Sequence, residues 1–161
     1  MRHFVTAICV LALVLVFAVA ASAAPPEEGS FTITITASPP PDFEVLTPEL
    51  DRAKFDTTAT GFVTGDYFGG AKFAFVEWGI VDFGSKRGVN HGILTITTPT
   101  GDGEVTIRFD GQADFVSVWG NFRILSGEGI YDNLHGQGTY ATTAGDPFSV
   151  DFSGRFHRAP K

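Results

Sequence analysis

Apolar and polar residues alternate one by one in stretch after stretch of this chain, and a period of two commits a backbone to strands. Phe31, Ile33 and Ile35 point one way while Thr32, Thr34 and Thr36 point the other. Val105, Ile107 and Phe109 alternate with Glu104, Thr106, Arg108 and Asp110, and Phe148, Val150 and Phe152 with Ser149, Asp151 and Ser153. Each run has one face to bury and one to wet. Strand candidates recur about every ten to fifteen residues with no room for crossover helices, so the sheet is mostly antiparallel. Pro99-Thr100-Gly101-Asp102-Gly103 falls between two runs as a hairpin turn. One helix of two turns at most is expected over 47–54, with Thr47 as cap, Pro48 at the first helical position and acids in the first turn. Closing the sheet on itself removes its exposed edges.

The first residues set the compartment. Met1-Arg2-His3 is short and positive, Phe4 to Ala20 is apolar, and Ala21-Ser22-Ala23 offers the small residues a signal peptidase needs. An uncleaved membrane anchor is the alternative, since a stretch of about 17–20 apolar residues spans a bilayer; Pro25 and Pro26 favour cleavage. Cys9, the only cysteine, leaves with that segment, so the mature domain has neither disulfide nor thiolate. All 19 glycines and 14 of the 16 phenylalanines stay, the composition of aromatic strands joined by turns. Without Arg2 the chain carries 10 basic against 18 acidic residues, a net −8. That charge disfavours nucleic acid and anionic membrane surfaces. The expectation is therefore a secreted, periplasmic or envelope protein: signal peptide 1–23, flexible linker 24–30, and a single antiparallel β-barrel of about eight strands over 31–158.

The segment 120–140 begins Gly120-Asn121-Phe122-Arg123-Ile124 and continues through Gly127-Glu128-Gly129, Tyr131 and Gly136-Gln137-Gly138-Thr139-Tyr140. It reads as a strand, a glycine turn at 127–129, an aromatic anchor at Tyr131 and a return strand after Gly136. It resembles the glycine signature of allene oxide cyclases and plant dirigent proteins, with Ser126 where the signature has Gly and Glu128 where it has Thr. The resemblance implies an eight-stranded antiparallel barrel, often a trimer or dimer in dirigent-like members. That family's substrate-binding residues do not map onto this chain, so the resemblance carries no activity across.

The candidate chemistry sits on Lys72–Phe83. Phe73, Phe75, Glu77, Gly79, Val81 and Phe83 share one face; Ala74, Val76, Trp78 and Ile80 share the other. Both faces are apolar and ask for cover, which makes a homo-oligomer a candidate. A Glu77 buried among Phe73, Phe75, Val81 and Phe83 would have its pKa raised by desolvation and would act as an acid or orient a polar ligand. A bend at Gly79 turning Glu77 to solvent, or pairing with Arg123, is the plainer alternative. Phe75, Trp78, Trp119 and Arg123 are the candidate ligand contacts, although large aromatics are more often core or interface. His91 and His135 read as turn residues and His157 lies near the end. None has metal-site spacing, and no metal or cofactor is expected. No nucleophile elbow or nucleotide loop occurs. The leading expectation is a barrel that binds a small apolar or aromatic molecule, with no demonstrable catalytic site. A cyclase- or dirigent-like enzyme steering a reactive intermediate, assisted by Glu77, is the alternative, and a structural or interaction barrel packed solid with phenylalanine the third.

Overall fold

The computed structural model describes residues 25–47, 51–114 and 116–160. The expected leader and its cleavage site lie outside the described residues. The strands are β1 (Glu27–Ala37), β2 (Asp42–Thr47), β3 (Arg52–Gly65), β4 (Lys72–Asp82) and β5 (Arg87–Thr97), followed by β6 (Gly103–Asp114), β7 (Val118–Gly129), β8 (Leu134–Thr142) and β9 (Ser149–Arg158). Among the described residues there is no helix. The fold is all-β.

Every neighbouring pair is antiparallel, in the order β1-β9-β8-β7-β6-β5-β4-β3-β2, and β1 also pairs with β3. Eight strands therefore close into a ring, and β2 adds a ninth outside it. The 14-residue β3 makes this possible. Its first part, Arg52–Asp56, pairs with β2, and its second, Thr60–Gly65, pairs with β1. Pro39, Pro40 and Pro41 separate β1 from β2, since proline cannot donate to a ladder.

The helix expected over 47–54 is corrected. Residues 48–50 lie outside the described residues, but Thr47 ends β2 and Arg52, Ala53 and Lys54 open β3. Asp51 takes φ 52° and turns the chain between them. The capping signals were local, and pairing of β3 with β2 and β4 over Arg52–Asp56 overrides them. β1 begins at Glu27, inside the segment read as linker, because Glu27–Ser30 pair with Phe156–Ser153. His91 and His135 are also corrected, since both lie within strands, β5 and β8. His91 Nδ1 meets Asp110 Oδ1 at 2.8 Å, and the His135 ring stacks on His157 at 5.3 Å. In the glycine segment β7 runs on to Gly129, and the chain turns at Ile130–Asn133. Tyr131 is buried there, as an anchor should be.

The two ends of the barrel differ. At one end the β3–β4 and β7–β8 turns bring Phe68 and Tyr131 over the lumen, their rings 5.3 Å apart. Phe31 stacks on Phe152 at 4.7 Å and meets Phe68 edge-on at 4.9 Å, while Phe122 and Phe156 stack at 6.0 Å. This half is filled with aromatic rings. The opposite end, where β6 turns to β7 and β8 to β9, is not.

Candidate functional site

The unfilled end holds a cavity of about 220 Å3. Asp114 at the end of β6, Val116 and Ser117 from the β6–β7 turn and Pro147 from the β8–β9 turn stand at its rim. Phe75, Leu94, Phe109, Val150 and Phe152 form apolar walls and floor. Below the rim, Thr142 bonds the Val118 backbone, and three further polar side chains of the lining are bonded to one another. The Tyr140 hydroxyl donates to Asn90 Oδ1 at 3.1 Å, and Asn90 Nδ2 donates to Glu77 Oε1 at 2.7 Å.

Register explains how residues 63 positions apart in sequence meet. Gly79, Asn90, Gly111, Gly120 and Tyr140 lie in one row across β4 to β8. A Cβ at Gly111 would overlap the Tyr140 hydroxyl, and one at Gly120 would stand 2.8 Å from the Tyr140 ring. The two glycines clear a path along which the phenol lies across two strands and reaches β5. At Gly120 the space a side chain would need is taken by the β6 backbone at Asp110 and Gly111 and by the Tyr140 ring.

Burial pushes the Glu77 carboxyl above the ordinary carboxylate range, and the Asn90 bond offsets part of that rise. The Tyr140 phenol is pushed up as well, chiefly by burial. Asn90 is 1 % exposed, so the amide is committed to this network. Thr57, directly across β3 from Glu77, has a buried hydroxyl without a partner among the described residues. Among the described residues no Lys, Arg or His lines the cavity, whereas Glu77 and Asp114 both do. The cavity is apolar and, where polar, acidic or neutral.

The residues singled out from sequence fall on both sides of the wall. Glu77 and Phe75 face the cavity together. Glu77 is held by Asn90, and no bond joins it to Arg123. Trp78 and Trp119 stand on the outer surface, 37 % and 39 % exposed, and neither lines the cavity. Arg123 also points outward, into a shallow groove with His135, Gln137, Arg155 and His157. Val76, Trp78 and Ile80 form an exposed apolar strip in the single chain.

Asn90 and Tyr140 were not anticipated as site residues. The signal for Asn90 was parity, because it shares a face with Gly92, Leu94 and Ile96, of which the latter two are fully buried. Tyr140 closes the glycine segment but lies on β8, with three strands between it and Glu77 on β4, a register that spacing alone does not reveal. Among the described residues no three His, Cys, Asp or Glu side chains converge to hold a metal ion. Comparison of the chain with protein-family models and with curated proteins gives no match, so the reading of this site rests on its geometry.

Proposed function

We propose that the protein is a secreted or envelope barrel that binds a small apolar or aromatic ligand in the cavity at its open end. One arrangement carries this reading: an apolar cavity of about 220 Å3 in which the deep polar groups form a single bonded set, Glu77–Asn90–Tyr140. Ligand sites have this composition, mostly apolar with few placed polar groups. Since an apolar cavity of about 150 Å3 takes benzene, this one suits a one- or two-ring molecule.

Native mass spectrometry of the mature protein recovered from its own host tests the reading. The expected spectrum contains a bound mass that denaturation releases and that a Val118→Trp variant, which fills the cavity wall, does not carry. Bare protein in both preparations sinks it.

The second reading is an isomerase-type enzyme that steers a reactive intermediate, and the buried Glu77 carboxyl favours it. The two readings part at Glu77→Gln. A glutamine still offers a hydrogen bond but transfers no proton, so turnover would vanish while binding persisted. The solid-core interaction barrel has less support, because phenylalanine fills only one half of the lumen.

Self-association belongs to the same proposal, since a second copy would cover Val76, Trp78 and Ile80. A Trp78→Glu variant is expected to shift size-exclusion elution towards the monomer. Monomeric elution of the natural protein removes the argument.

A further inference from the structure

We infer that the ligand of this cavity is uncharged and carries a hydrogen-bond-accepting oxygen, a ketone, aldehyde or ester carbonyl, which the Glu77 carboxyl holds as a donor. The inference rests on the binding reading above and deepens it.

Charge comes first. A carboxylate or phosphate ligand entering here would leave water and find no cation, with Glu77 and Asp114 already among the lining residues. Burying an ion without a partner costs more than the apolar walls return. Anions are therefore poor ligands for this site.

The hydrogen-bond ledger narrows the rest. The Tyr140 hydroxyl proton is spent on Asn90 Oδ1, and the Asn90 amide is spent on Glu77 Oε1. The second Glu77 oxygen has no partner among the described residues. With the carboxyl neutral, that oxygen is an O–H donor at an apolar cavity, and a donor in such a place selects an acceptor on its ligand. Burial favours the neutral form, the Asn90 bond alone works against it, and no cation from the packed elements faces Glu77 among the described residues. Thr57 on β3, Asn90 on β5 and Tyr140 on β8 are uncharged, and Asp114 at the rim is acidic. The His91–Asp110–Arg108 set lies on the outer surface of β5 and β6. Burial accordingly raises the Glu77 pKa. A cationic amine would instead require the ionised carboxylate, the form that burial opposes.

Four probes of one shape test the inference: indane, 1-indanone, 1-aminoindane and indane-1-carboxylate, titrated calorimetrically into the mature protein at pH 5 and pH 8. Indanone is expected to bind roughly three- to tenfold more tightly than indane at pH 5, the range of one net hydrogen bond. That preference should shrink as pH rises through the raised pKa of Glu77, because the donor proton is then lost. Glu77→Gln, whose amide N–H donates at every pH, should keep the preference and lose its pH dependence. The triple variant Glu77→Met, Asn90→Leu and Tyr140→Phe, which strands no donor of the set in the cavity, should bind indane and indanone equally. Tighter binding of the amine or the carboxylate overturns the inference, as does equal binding of indane and indanone by the natural protein. Indane bound without preference leaves the cavity-binding reading standing, whereas no probe bound at all removes both.

Discussion

Replacing Phe31 by alanine is expected to lower the unfolding free energy by about 3–5 kcal/mol, the cost of deleting a buried phenyl ring that its neighbours cannot collapse to fill. Phe31 is the hub of the closed end. Its ring meets Phe68 at 4.9 Å, Phe152 at 4.7 Å, Phe122 at 6.0 Å and Phe156 at 6.3 Å. These four come from the β3–β4 turn, β9 and β7, so a single ring ties together elements 37 to 125 positions away in sequence. Its own strand, β1, is also the one that closes the ring, pairing with β9 on one side and β3 on the other. With no disulfide to limit the unfolded chain, the domain depends on this burial. For a domain whose total stability is of the order of 5–15 kcal/mol, the loss is a large fraction. Urea denaturation of natural protein, Phe31→Ala and Phe31→Leu checks it. Leucine keeps most of the buried volume and should cost clearly less than alanine. If alanine costs under about 1 kcal/mol, the hub assignment is wrong.

The same plug shows what sequence made legible. Alternation placed Phe31, Ile33, Ile35, Val105, Ile107, Phe109, Phe148, Val150 and Phe152 on inner faces; seven of these nine are buried and Ile35 is partly so, but Phe148 lies in the turn before β9 and is 64 % exposed. It worked because each run carries large apolar residues on one parity and polar ones on the other. β3 escaped the same reading because its inner face is built largely from small residues, Ala53, Thr57, Ala59 and Gly61, which leave little contrast. A capping pattern then looked helical where pairing with β2 and β4 decides the outcome. For the site, parity set Glu77 and Phe75 on one face of β4 and Trp78 on the other, and the structure keeps that division. What sequence did not show is the long-range row through Gly111 and Gly120 that brings Tyr140 to Asn90. A missing side chain gives no signal of what will occupy its space. The glycines announced close approach of strands, but the identity of the visitor depends on register across three ladders.

The Glu77–Asn90–Tyr140 network gives the second large effect and separates a functional from a structural reason for its presence. Asn90→Leu removes the link and leaves a carboxyl and a phenol buried without their partner, at about 1–3 kcal/mol for each group stranded. Removing all three polar groups together, as Glu77→Met, Asn90→Leu and Tyr140→Phe, strands nothing and adds apolar contact. Its stability at pH 7 is expected to equal or exceed that of the natural protein. The pH dependence sharpens the contrast. Glu77 has its pKa raised in the folded state, so the stability it contributes is complete below the unfolded pKa and is lost as pH rises through the folded one. Asp82, Asp102 and Asp110 are held below the ordinary range by their hydrogen bonds and act in the opposite sense. They are common to both proteins and cancel in the difference. The advantage of the triple variant should therefore grow from pH 4 to pH 8 in paired thermal or urea denaturation. A barrel that is more stable without its interior polar groups, yet carries them at the one place where its lumen is open, carries them for a ligand. If the triple variant proves as unstable as Asn90→Leu alone, the network is a structural brace, and the cavity loses the observation that most favours recognition over mere incomplete packing.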